Sequence, residues 1–119
     1  MNSYRDLPVW QKAIDLVALC HTLTQSFPGG ETSGVGNQIR RAASSVVGAI
    51  AEGEGQENAA FVVQCLRAAL GSLKETETHL SLAGRIGLLE QAALQQVMLT
   101  CDEIRTMLRS QRLAIEEKQ

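Results

Sequence analysis

Aromatic residues make up 3% of the 119-residue chain, one tryptophan, one tyrosine and two phenylalanines, so its core has to be aliphatic. The three cysteines, Cys20, Cys65 and Cys101, lie far apart, with no CxxC and no clustered histidines. That excludes the usual metal-site spacings and leaves buried thiols of a reducing compartment as the expectation. No uncharged apolar run approaches the roughly 20 residues of a membrane span. The opening "MNSYRDLPVW" lacks a charged region followed by an apolar one, so no secretory signal is expected. A cytoplasmic location follows as the expectation. Charge of one sign is also missing: the net charge is −2 and the pI about 5.6, which argues against broad polyanion binding while leaving room for a local basic patch.

What the chain does have is helical periodicity. Hydrophobic residues reach 45% and charged ones 20%, the balance of a globular protein, with Val and Ile at helical rather than alternating spacing. Val9, Lys12/Ala13, Leu16, Leu19/Cys20 and Leu23 predict a first helix over about 8–27, with Asp6 as cap and Pro8 in its first turn. "FPGG" ends it. Val35, Ile39, Ala42/Ala43, Val46 and Ile50 predict a second helix over about 33–52, closed by "GEG". Asn58 caps a third, about 58–84, facing inward through Val62, Leu66, Ala69/Leu70, Leu73, Leu80 and Ala83. A fourth, about 89–113, has Ala93, Val97, Cys101, Ile104 and Leu108 as its seam, and "EEKQ" reads as a frayed end. Four helices with short connections predict an all-α, single-domain, antiparallel up-down-up-down bundle spanning 1–119.

Three segments in order carry a resemblance: "YRDLPVWQKAIDL", "LTQSFPGGETSGVGNQIRRAASSVVGAIAEGEG" and "GSLKETETHLSLAGRIGLL". Together they resemble the four-helix bundle family encoded by intervening sequences in 23S ribosomal RNA genes, over Tyr4 to about Leu108. The resemblance implies a ring-like homopentamer and no enzymatic activity. A related branch, the accessory variability determinant proteins of diversity-generating retroelements, is strongly basic and binds a reverse transcriptase and nucleic acid. This chain departs from that pattern. It is acidic, Gln56 stands where a basic residue is common, and "SSVVGAIAEG" lacks the proline and asparagine of the usual "SIPSNIAEG".

The charged residues inside this pattern are the candidate sites. Arg40 and Arg41 interrupt a small, apolar run and, about 100° apart on a helix, cannot serve one contact equally. Antiparallel counting sets Arg40 level with roughly Gly71 and within reach of Glu75. Glu77 falls on the inward stripe between Leu73 and Leu80 and needs a cationic partner. Pairing of Arg40 and Arg41 with Glu75 and Glu77, within or between subunits, is one expectation; a nucleic-acid contact is another, and ordinary exposed side chains a third. Glu52 lies level with Lys12, which suggests a pair at the bundle end, while "GEG" lacks the length and lysine of a phosphate loop. Arg105, Arg109 and Arg112 form a basic ridge, with Lys12 and Arg5 expected near the same end. That ridge is the best anionic-ligand surface, although the helix dipole alone favours cations there. His21 and His79 have no nucleophile beside them in the pattern, and Trp10 anchors the chain entry on its own bundle or on a neighbour. No catalytic, metal or cofactor residue is expected. The function these features support is a non-catalytic, self-assembling scaffold or adaptor; RNA or DNA binding through the basic patch is the alternative.

Overall fold

The computed structural model describes residues 3–28 and 34–118. A short 3-10 turn, Tyr4–Asp6, precedes four helices: α1 Pro8–Thr24, α2 Gly34–Gly53, α3 Ala59–Arg85 and α4 Gln91–Glu117. No strand occurs among the described residues.

Each helix packs on its chain neighbour and α1 meets α4, so the four close a square; the diagonal pairs make no close backbone approach among the described residues. Cross-helix pairs give the directions. Arg67 of α3 meets Glu116 of α4, whereas Glu77, later in α3, meets Arg105, earlier in α4; the two helices are antiparallel. The bundle measures 46 × 22 × 21 Å, close to the roughly 40 Å that α3 and α4 span at 1.5 Å per residue.

The predicted stripes form the core. Val9, Ala13, Leu16 and Cys20 of α1 meet Ile39, Ala43, Val46 and Ile50 of α2. Leu66, Ala69, Leu73, Leu80 and Ala83 of α3 complete the interior with Val97, Cys101, Ile104 and Leu108 of α4. Each fully buried Leu or Ile side chain contributes about 1.5–3 kcal/mol. One inward position differs. Thr76, not Glu77, takes the turn between Leu73 and Leu80, fully buried with its hydroxyl donating to the Ser72 carbonyl at 2.8 Å.

The helix ends correct several expectations. Asp6 does not cap α1: it closes the 3-10 turn, whose cap is Ser3, and Leu7 precedes α1 without a side-chain bond. That first helix stops at Thr24; Phe27 lies beyond it in a turn yet stays buried. The predicted start of the second helix at Ser33, and the two glycines of "FPGG", lie outside the described residues. Asn58 does cap α3, its side chain accepting from the Phe61 amide at 3.0 Å. After α3 the backbone turns through Gly87, whose φ of 85° is in the left-handed region that favours glycine, and the Leu88 amide returns to the Ala83 carbonyl at 2.8 Å. α4 starts later than Leu89 and runs through Glu117. In the segment expected to fray, α4 stays helical through Glu117, where Glu116 pairs with Arg67 at 2.9 Å and lies 3.7 Å from Arg112.

The α2–α3 seam is the tightest in the bundle. A Cβ added at Gly53 would sit 2.9 Å from the Cys65 Cβ, so glycine is what lets the two backbones approach there.

Candidate interaction surfaces

Arg40 is buried, 7% exposed, and turns toward α1. Its Nη1 donates to the Thr24 hydroxyl at 2.7 Å, and that hydroxyl donates to the Cys20 carbonyl at 2.7 Å. A Cβ at Gly36 would lie 3.4 Å from the same guanidinium nitrogen, so the missing side chain at 36 makes room for it. Arg40 is therefore a component of the α1–α2 packing. Thr24→Val keeps the shape and removes an acceptor from a buried cation; it is expected to lower stability by about 1–3 kcal/mol, read by urea denaturation.

The other expected pairs separate. Glu77 bonds Arg105, on α4, rather than an arginine of α2. Arg105 also bonds Asp102 at 2.5 Å. Lys12 reaches Glu103 of α4, at 3.4 Å, rather than Glu52. Lys12 lies at the expected level of the bundle, but on the edge of α1 that faces α4, while Glu52 is exposed at the end of α2. Arg41 and Glu75 do share a place, lining one open recess with Gln38, Ala42 and Ser45; no ion pair links them within 4 Å among the described residues.

The basic ridge lies in a groove of about 310 Å³ between α3 and α4. Arg105, Arg109 and Arg112 line it from α4, and Arg67, Leu70, Gly71 and Lys74 from α3. Lys12 is not part of it. Arg67 and Lys74 are the residues that sequence reasoning missed; their seven-residue separation on α3 puts both on a single side, a signal that becomes readable once α3 and α4 are known to be antiparallel. Glu77, Asp102 and Glu116 neutralise Arg105, Arg67 and Arg112 in part, whereas Arg109 and Lys74 have no acidic partner within 4 Å among the described residues. The groove therefore carries a positive surplus in an acidic protein.

Two apolar surfaces lie beside and away from this groove. Gln91, Leu94, Gln95, Met98, Leu99 and Asp102 form a shallow apolar pad on α4, where Leu99 is 64% exposed. On α2 no charged residue occurs from Ala42 to Ala51, although Ser44, Ser45 and Gly48 are exposed. Antiparallel counting from the Thr24–Arg40 contact sets exposed Ile14 of α1 level with the end of this run. Trp10 packs on its own chain, edge-on to Tyr4 at 5.5 Å between ring centroids.

The histidines and cysteines form no constellation: among the described residues no group of His, Cys, Asp and Glu could hold a metal ion. Burial pushes the Cys20 and Cys101 thiols up to about 12 from an ordinary 9.0, with Cys20 and Asp102 adding to the rise at Cys101. Burial, then the charge of Glu52, also raises Cys65. Such thiols are poor nucleophiles. A raised folded-state value gives a stability contribution that is whole below about pH 9, where both states keep their protons. It is lost progressively between about pH 9 and 12, because the unfolded chain releases protons first. The thermal midpoint should therefore fall above pH 9 less steeply in Cys20→Ala/Cys101→Ala than in the parent.

No described helix is long and apolar enough to cross a membrane. Residues 5–110 match the family described as 23S rRNA-intervening sequence protein. The fold is similar to a crystal structure of a protein of unknown function from the S23 ribosomal protein family of Bacteroides thetaiotaomicron, with a TM-score of 0.78 and 21% identity over 87% of this chain and 97% of that one. No curated protein matches the chain. Neither match extends to the accessory variability determinant proteins.

Proposed function

We propose a function on the premise that this chain belongs to the 23S rRNA-intervening sequence protein family, which the match over residues 5–110 establishes. The protein is a non-catalytic bundle that assembles with copies of itself, as a ring of five, and serves as a scaffold or adaptor. The observation that carries this reading is the outer side of α2. Ten residues from Ala42 to Ala51 hold no charge, yet Ser44, Ser45 and Gly48 face out. A solitary bundle in water gains nothing from such a face, whereas a neighbouring subunit packs closely on small uncharged residues. Gly48 strengthens the point. It sits mid-helix, where glycine costs about 1 kcal/mol relative to alanine, and nothing in its own chain lies within 4 Å of the Cβ it lacks. Sedimentation of the purified protein at micromolar concentration tests this reading: an oligomer is expected, and a clean monomer removes it.

A second reading, RNA or DNA binding, is favoured by the surplus charge of Arg109 and Lys74 in the α3–α4 groove. It predicts affinity that falls steeply with salt and is lost in Arg109→Glu/Arg112→Glu. The acidic pI and the acids already paired with Arg67, Arg105 and Arg112 place it behind the first.

A further inference from the structure

We infer that the α3–α4 face is a docking trough for an amphipathic helix of another protein, with acidic residues along one half of its contact face and leucine-like residues along the other. This rests on the adaptor reading and names the kind of partner the adaptor takes.

The basic groove and the apolar pad are parts of one surface. Asp102 lines the pad, Arg105 lines the groove, and the two side chains are bonded to each other at 2.5 Å. From Leu94 to Arg112 the surface runs roughly 27 Å along α4, the length of an 18-residue helix. Its two halves ask for different chemistry. Leu99 is exposed and, with half-buried Leu94 and Met98 beside it, offers apolar contact. Arg109, Arg112 and Lys74 offer positive charge, and Arg109 and Lys74 have no acidic partner within 4 Å among the described residues, which leaves them for carboxylates of an incoming helix. A nucleic-acid duplex would use the second half and gain nothing from the first; an acidic amphipathic helix uses both.

Gly71 fits the same account. It lines the groove from the middle of α3, and nothing lies within 4 Å of the Cβ it lacks, so its own fold does not require glycine. A bare backbone there allows an incoming helix to settle between the arginines. Because acids are favoured in the first turn of a helix, the partner's N-terminal half lies over Arg109 and Arg112 and its C-terminal half over Met98 and Leu99.

The test is a displayed library of 20-residue helical peptides randomised on one face, selected against the intact protein. Enriched peptides are expected to combine glutamate or aspartate in the N-terminal half with leucine-like residues at three- and four-residue spacing in the other. Leu99→Glu and Arg109→Glu should each weaken their binding at least tenfold, and Gly71→Trp should abolish it, with the circular dichroism of all three unchanged. The same peptides should bind Gly48→Glu with parental affinity, which separates the trough from self-assembly. Absence of enrichment, or peptides indifferent to the three variants, overturns the proposal. So does a 20-base-pair RNA duplex that binds and responds to Arg109→Glu but not to Leu99→Glu, which would make the groove a polyanion site. Conversion of the oligomer to monomer by Leu99→Glu would also overturn it, by showing a second copy of this chain in the trough.

Discussion

Gly53→Val is expected to destabilise the folded chain by about 1–3 kcal/mol or more, although valine forms helices better than glycine does. The reason is local. The first carbon of any side chain at 53 falls 2.9 Å from the Cys65 Cβ, itself fixed to the α3 backbone, so no rotamer change relieves the contact. The helices must part, and overpacking of this kind costs more than the roughly 0.5 kcal/mol of helix propensity gained. Gly48→Ala should move the other way, raising stability by up to about 1 kcal/mol, since the space around it is open within the chain. Urea denaturation of both variants beside the parent checks this. Equal effects at the two positions would mean that the α2–α3 seam is not the close contact described.

The apolar periodicity made the helices and their inward stripes readable, because within each helix the buried residues follow steps of three and four along one face, as Leu66, Ala69, Leu73, Thr76, Leu80 and Ala83 do on α3. Short connections then left little choice of topology. The charged residues were harder, and Lys12 and Arg40 show why. Counting along antiparallel helices sets Lys12 level with Glu52, and the structure agrees about the level. Pairing also depends on rotation about the helix axis, and Lys12 faces α4 where Glu103 waits. Arg40 likewise turns to Thr24 of α1, while Glu77 turns to Arg105 of α4. One residue of sequence is 100° of rotation, so an error too small to move a stripe redirects a long side chain to another helix. Arg67 and Lys74 were missed for a related reason: each is an isolated charge in sequence and joins Arg109 and Arg112 only across the α3–α4 seam. The helix ends depend on local bonds that the pattern does not encode, such as the Ser3 cap of the 3-10 turn, and Arg67 and Glu116 pair near the end of α4 across the α3–α4 seam.

The uncharged outer side of α2, with Ser44, Ser45 and Gly48 exposed, carries the assembly proposal. Burying a glutamate at the centre of a subunit interface leaves a charge without a partner, a loss of several kcal/mol per contact and therefore more than a hundredfold in association. On a free helix face the same residue is harmless. Gly48→Glu makes this distinction, since the position is exposed and unobstructed within one chain. Ile14→Glu, at an exposed isoleucine of α1 level with the end of the uncharged run, should act in the same direction.

Sedimentation velocity of the parent and Gly48→Glu, at equal micromolar concentration, measures this difference directly. A parent that sediments as a discrete oligomer, with five chains as the expected number, and a Gly48→Glu variant that sediments as a folded monomer would be the predicted result. A parent that is already monomeric, or a variant whose oligomer is undisturbed, would contradict the assignment of the α2 face as the assembly surface.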